Sequence, residues 1–293
     1  MAPPGDNRSV CVMDASGRLG SSLVQNLLLR GYTVHAALQD PGKSHCVDGL
    51  YNKRLRIFQA DPFNYNSVVD ALKGCCGLFY CFEPPSYHST YDEYMAEVEV
   101  RAAHNVLEAC AQTEAIQKVV FTSSVTSVIW TDDRNKKPKD FDERNWSDIN
   151  FCRKYKLWHA LSKTLAEKTA WALAMDRGIE MVTINGGLVV GPDLTITHPY
   201  LKGAAEMYED GVFVTVDLKL LVDAHVCVFE DTASFGRYLC FDHVINCNEE
   251  AMKLAHMLLP PSESSIPQRL EDTRIHQQRI SNKKLNKLMV NFS

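Results

Sequence analysis

No run of 18 uncharged apolar residues occurs in the 293-residue chain, so a membrane-spanning helix is not expected. The opening MAPPGDNRSVCVMD lacks a basic region followed by an apolar stretch, so a secretory leader is not expected either. Clustered positive charge is also missing. The formal net charge is −5, with basic residues scattered along the chain, which argues against nucleic acid and anionic membrane as partners. C-x-x-C spacing is absent among the ten cysteines. Cys75 and Cys76 are adjacent, while Cys11, Cys81, Cys227 and Cys240 lie in apolar runs. Reduced, buried thiols in a cytoplasmic protein are the expectation, rather than disulfides or metal ligands. The partner left by these exclusions is a small molecule, and nothing in the sequence encodes an oligomeric state.

What the chain does have is core-forming material, with 45% apolar residues. Strand-length apolar runs alternate with helical patterns: SVCVMD, LGSSLVQNLLLRG, TVHAAL, RLRIFQA, VVDALKG, GLFYCF. This alternation predicts an α/β fold, a Rossmann-type doubly wound parallel sheet with helices on both faces. A helix is expected over 90–114, with Val98, Ala102, Val106 and Ala109 on one side, then the buried strand KVVFTSSV. The segment TDDRNKKPKDFDERNWSD reads as a surface loop. A second long helix is expected over 154–176, and MVTINGGLVVGP as a strand with a glycine-rich end. Past Pro192 the rhythm loosens, which suggests a dinucleotide domain over 1–192 and a smaller substrate-binding lobe over 193–293.

MDASGRLGSSLV follows the first strand and opens the first helix, where a glycine motif has physical meaning. Gly17 lets the backbone approach a pyrophosphate, and the N–H groups around Ser16, Gly17, Arg18 and Leu19 can donate to it. The pattern expects a glycine where Asp14 stands. A carboxylate about 4 Å from a phosphate, at an effective dielectric near 20, would cost about 4 kcal/mol, or roughly a thousandfold in affinity. Asp14 must therefore turn away, or the cofactor binds weakly. An ordinary strand-turn-helix capped by Asp14 or Ser16 is the bland alternative. The second strand ends at Gln39, neither the acid that selects NAD nor the arginine that selects NADP. Lys43 and Arg18 nearby favour NADP(H), with NAD(H) an open alternative. Asp61 ends the third strand, facing the adenine or serving as a turn residue.

TSSVTSV, NWSDINFC, the KTLAEKTAW run, LVVGP and VDAHVCVFED together resemble the plant extended short-chain dehydrogenase/reductases, specifically the cinnamoyl-CoA reductase-like and dihydroflavonol reductase-like branch. The likeness runs through GRYLC and ISNKKLNKL, nearly the whole chain. It implies that Ser124 hydrogen-bonds a substrate carbonyl and that Lys163 binds the nicotinamide ribose. The position that holds a catalytic tyrosine in that family is His159 here. Where the family has a proline and a small hydroxyl residue facing the nicotinamide, this chain has Gly186 and Gly187. Where small residues make room for the cofactor, it has Phe82 and Glu83. The groups that face coenzyme A in the family have no match, since His198 and Lys202 stand at a different spacing.

His159 and Lys163 are one helical turn apart and share a face. Imidazole titrates near 6.5, and a neighbouring ammonium pushes it lower. It is also shorter than a phenol, so proton transfer would need a bridging water or a shifted substrate. Tyr155 reads as a solvated surface residue. Two functions follow: an NADP(H)-dependent reductase of a small aromatic aldehyde or ketone, phenylpropanoid-like, or a catalytically silent relative acting as nucleotide sensor or protein-interaction module.

Overall fold

The computed structural model describes residues 8–40, 42, 53–82, 91–132, 140–192, 194–258, 274–290 and 292. Lys43 and Glu83 lie outside the described residues. The first half alternates as expected: β1 (Ser9–Met13), α1 (Arg18–Leu29), β2 (Thr33–Leu38), β3 (Leu55–Gln59), α2 (Tyr65–Leu72), β4 (Gly77–Tyr80), α3 (Glu93–Ala111) and β5 (Lys118–Ser124). After it come α4 (Ile149–Lys154), α5 (Trp158–Arg177), β6 (Met181–Gly186) and β7 (Leu188–Val189). The remainder comprises α6 (Ala204–Glu209), β8 (Val214–Val216), α7 (Leu218–Glu230), β9 (Gly236–Cys240), β10 (His243–Val244), α8 (Asn248–Leu258) and α9 (Lys283–Met289).

Seven parallel strands form one sheet in the order β3-β2-β1-β4-β5-β6-β9. Successive side chains of a strand point to opposite faces, and here both faces are covered. Val10 and Val12 of β1 pack with Leu23, Val24 and Leu27 of α1 and with Val222 and Val226 of α7. Cys11 and Met13 of the same strand belong to the opposite cluster with Val68 of α2, Val106 of α3 and Ala170 of α5. The order reverses between β1 and β4, and a ligand cleft in such sheets forms at the strands' carboxyl ends near this point.

Three local outcomes differ from the expectations. The helix expected over 154–176 starts later, at Trp158, because α4 ends at Lys154 with Tyr155 as its cap and Lys156 turns through φ 53° before α5 begins. The strand expected across MVTINGGLVVGP divides at Gly187, with β6 in the large sheet and β7 in a three-stranded sheet ordered β10-β8-β7. A Cβ at Gly187 would stand 3.0 Å from the Val214 carbonyl oxygen, so the glycine permits the close backbone approach that seats β7 beside β8. The described part of the expected surface loop is anchored inward, since Phe141 and Ser147 are buried.

Residues after 192 do not all leave the dinucleotide sheet. α7 covers it and β9 joins its edge, while a third cluster holding Tyr200, Phe213 and Phe241 fills the C-terminal side. Among the described residues no helix is long and apolar enough to cross a membrane. The nine described cysteines are free, and Cys11, Cys75, Cys81, Cys110, Cys152, Cys227 and Cys240 are buried.

Candidate active site

The first turn connects β1 to α1. Asp14 adopts φ 56°, a left-handed conformation that a glycine occupies without cost and that Asp tolerates better than most residues. Its carboxylate is held by the Gln39 amide, whose Nε2 donates to both oxygens at 2.8 and 3.0 Å. The two departures from the dinucleotide pattern are therefore hydrogen-bonded to one another. Gly20 is fixed by packing, since a Cβ there would lie 2.3 Å from the Asp14 carbonyl oxygen. Gly17 caps α1 without a side-chain hydrogen bond, and the first helical turn holds no acidic residue. The amides at this helix start suit a pyrophosphate, so the donor set fits a dinucleotide. Arg18 reaches across the carboxyl end of the sheet, where Nη2 donates to the Val190 carbonyl at 3.2 Å and the guanidinium lies against Gly191. Asp61 accepts from the Phe63 amide at 2.9 Å, a turn-forming bond at the end of β3. Gly186 ends β6 in register with Ser124 and packs toward Leu221.

Ser124 is the last residue of β5 and caps the short turn Val125–Ser127, accepting from the Thr126 amide at 3.2 Å. The Thr126 hydroxyl donates to the same Ser124 oxygen at 3.1 Å. On α5, His159 is half-buried, and its Nδ1 lies 3.0 Å from the Thr126 hydroxyl. Ser124, Thr126 and His159 are thus brought together in one hydrogen-bonded row. Tyr91, His198 and Tyr200 surround the imidazole, with ring centroids 5.7, 6.4 and 5.9 Å away. Burial, then the Lys163 ammonium and then His198, hold the His159 pKa well below its ordinary 6.5. His198 is lowered by burial and by Lys163 in the same way.

Lys163 ends in an ion pair with Glu99 of α3, with Nζ 2.6 Å from Oε1. The other carboxylate oxygen of Glu99 accepts from Ser162 and, at 3.2 Å, from the Tyr91 hydroxyl. Burial and this carboxylate raise the Tyr91 pKa well above that of a free phenol. Phe82, buried at the end of β4, places its ring centroid 5.8 Å from Lys163 Nζ. The sequence reading missed Glu99, although a signal was present. Met95, Glu99, Ala102 and Val106 lie at i, i+4, i+7 and i+11 on α3, so a charge interrupts an apolar stripe. It also missed Thr126 as a partner of His159 and the approach of His198 to that ring.

A second buried carboxylate, Glu167, anchors the far half of α5. It accepts from Ser123, Ser127 and Asn185, each at 2.8 Å, and pairs with Arg237 Nε at 2.6 Å. Arg237 also donates to the Glu143 and Asn145 carbonyls and stacks on Trp146 at 3.7 Å. This network explains why the expected surface loop is drawn inward. A cavity of about 320 Å³ lies beside the β7 turn, lined by Val190, Val216, Asp217, His243, Leu254 and Met257 among others. Another of about 530 Å³ sits by Trp146, Trp171 and Arg237, and neither cavity is lined by Ser124, His159 or Lys163.

Comparison with known proteins shows which molecules this chain is similar to. The profile described as the NAD dependent epimerase/dehydratase family matches residues 10–217. Cinnamoyl-CoA reductase 1 of Petunia hybrida is 35% identical over 301 residues, covering 97% of this chain and 87% of the relative. Among solved structures, vestitone reductase from alfalfa (Medicago sativa) matches with a TM-score of 0.71 and 26% identity, covering 97% of this chain and 93% of that one. A yeast methylglyoxal/isovaleraldehyde reductase complexed with NADPH matches in fold with a TM-score of 0.72 at 18% identity, covering 96% and 92%.

Proposed function

The chain belongs to the NAD dependent epimerase/dehydratase family, and from that premise we propose that it is an NADP(H)-dependent reductase of a small aromatic aldehyde or ketone. The observation that carries this reading is the hydrogen-bonded row Ser124–Thr126–His159 at the carboxyl end of β5, with Lys163 one turn further along α5, in a sheet whose first helix starts without a side-chain cap. The name of the cinnamoyl-CoA reductase relative supports a phenylpropanoid-like substrate, and the NADPH complex of the yeast neighbour supports the cofactor.

When bound, reduced dinucleotide supplies a hydride to the carbonyl carbon. The amides at the start of α1 hold the pyrophosphate, and the Lys163 ammonium, fixed by Glu99, has further N–H groups to offer the nicotinamide ribose. Ser124 orients the carbonyl oxygen. His159 is the proton donor in the tyrosine position, and general acid help of this kind contributes about 10²- to 10⁴-fold. Ser16 and Leu19 flank the phosphate turn, and Gly186, Gly187 and Phe82 border the nicotinamide end. Dinucleotide binding is assigned chiefly to residues 1–192. Substrate binding is assigned to the part of 193–293 outside α7 and β9. The test is NADPH consumption with a panel of hydroxycinnamaldehydes and aromatic ketones. Turnover above the buffer rate supports the reading, and none with any substrate counts against it.

An imidazole in the tyrosine position, its pKa held well below the ordinary 6.5 by burial and Lys163, favours a second reading, a nucleotide sensor without turnover. Calorimetric titration separates the two, because NADPH binding without consumption of any carbonyl substrate selects the sensor.

A further inference from the structure

Resting on the reductase reading, we propose that Thr126 is a proton-relay residue that joins His159 to Ser124, so that the imidazole delivers its proton without touching the substrate. Sequence geometry posed the difficulty: an imidazole is too short to replace a phenol unless another group bridges the gap. The structure places a hydroxyl in that gap. Thr126 Oγ1 stands 3.0 Å from His159 Nδ1 and 3.1 Å from Ser124 Oγ, within the range of ordinary hydrogen bonds on both sides.

The donors and acceptors of the row can be counted. Ser124 Oγ receives the Thr126 amide at 3.2 Å and the Thr126 hydroxyl at 3.1 Å, which engages both of its lone pairs. Its single O–H is then the group it can extend toward a carbonyl oxygen. Thr126 spends its own proton on Ser124, so toward the ring it acts as acceptor, and His159 must present Nδ1–H. All three side chains point their protons in one direction, from the imidazole to the substrate. Thr126 is 2% exposed and Ser124 5%, so water does not readily substitute for either hydroxyl.

The step balances with the ring as imidazolium. The alkoxide oxygen formed as hydride reaches the carbonyl carbon takes the Ser124 proton. Ser124 Oγ takes the Thr126 proton, and Thr126 Oγ1 takes the proton from Nδ1, whose N–H bond breaks. The ring ends neutral with its proton on Nε2. Once product has left, a hydronium proton taken up by Ser124 Oγ sends the proton that oxygen held back through Thr126 to Nδ1, which restores the imidazolium and the original direction of the row. The charged and titratable groups around the ring are Lys163 on its own helix, Glu99 on α3, Tyr91 before that helix, and His198 and Tyr200 in the segment after β7. Because burial and Lys163 depress the imidazole pKa, reduction should slow as pH rises, with a midpoint below 6.5.

The experiment compares wild type, Thr126→Val and Thr126→Ser. Nitrogen-15 NMR of the histidine ring in the cofactor-free protein should show His159 as the Nδ1–H tautomer in wild type and T126S, and lose that preference in T126V. This readout does not depend on turnover. In the loaded enzyme T126V should reduce kcat by about 10²-fold, with KM little changed and the acid-side pH dependence flattened, and T126S should restore most of the rate. A wild-type ring with Nδ1 unprotonated, or a T126V enzyme with wild-type kcat and pH profile, overturns the relay. A wild type that consumes no NADPH with any carbonyl defeats the reductase reading instead. In that case the tautomer spectrum still decides whether the row is built as described.

Discussion

Two buried carboxylates hold the helix α5, and they hold it differently. Glu167 is saturated: three neutral side chains and the Arg237 guanidinium converge on its two oxygens, and the partner side chain is only 7% exposed. Glu99 is just as buried, but its charged partner Lys163 is 13% exposed. The first arrangement fixes a helix to a sheet. The second fixes an ammonium while leaving it donors for a ligand, so one half of α5 is a foundation and the other a working surface.

Glu167→Ala should show the contrast most strongly. It strands Arg237 and three buried polar groups, and a loss of about 3–5 kcal/mol is expected in denaturant unfolding. A loss below about 1 kcal/mol would show that the network is not the anchor described.

Acid should come next in size, and it acts through buried imidazoles. His225 faces the Leu221 carbonyl through Nδ1 at 2.7 Å and Thr122 through Nε2 at 2.8 Å, a pairing that suits the neutral ring. Burial lowers its pKa from 6.5 to about 4. The unfolded chain therefore binds the proton first. The stability contributed by this group is complete above pH 6.5 and falls by about 3 kcal/mol as pH drops toward 4. Unfolding measured at pH 7 and at pH 4.5 checks the sign, and His225→Gln should flatten the dependence.

Glu99→Ala should cost less than Glu167→Ala, about 1–3 kcal/mol, because Lys163 can turn toward cleft water. Its larger consequence should be on ligand binding, with NADPH affinity altered while the Glu167 network is untouched. Equal stability losses for the two variants would erase the distinction between them. The smallest effect expected is on stability in His159→Tyr, within about 1 kcal/mol, with any gain confined to turnover at neutral pH.

The fold was legible because alternating strand and helix patterns depend on side chains whose partners are merely apolar. β1 through β5 appear where Val, Ile, Phe and Tyr runs place them. Gly187 was harder to read: a glycine pair suits both a strand end and a change of sheet, and only the distance to Val214 distinguishes them. In the candidate site, Ser124, His159 and Lys163 were legible through resemblance and one-turn spacing. Asp14 and Gln39 were each recognised as departures, but their mutual hydrogen bonds join residues 25 apart. Thr126 and Glu99 were missed for the same reason. Their partners, 33 and 64 residues away, become neighbours only when α3, α5 and the end of β5 are packed together.

The central claim, that this cleft holds reduced NADP, is tested most directly by melting the protein with and without NADPH. A ligand bound only by the folded state at about a hundred times its Kd adds about 2.7 kcal/mol and must raise the Tm. The account predicts such a rise with NADPH, weakened in Lys163→Met. An unchanged Tm at millimolar NADPH would contradict it.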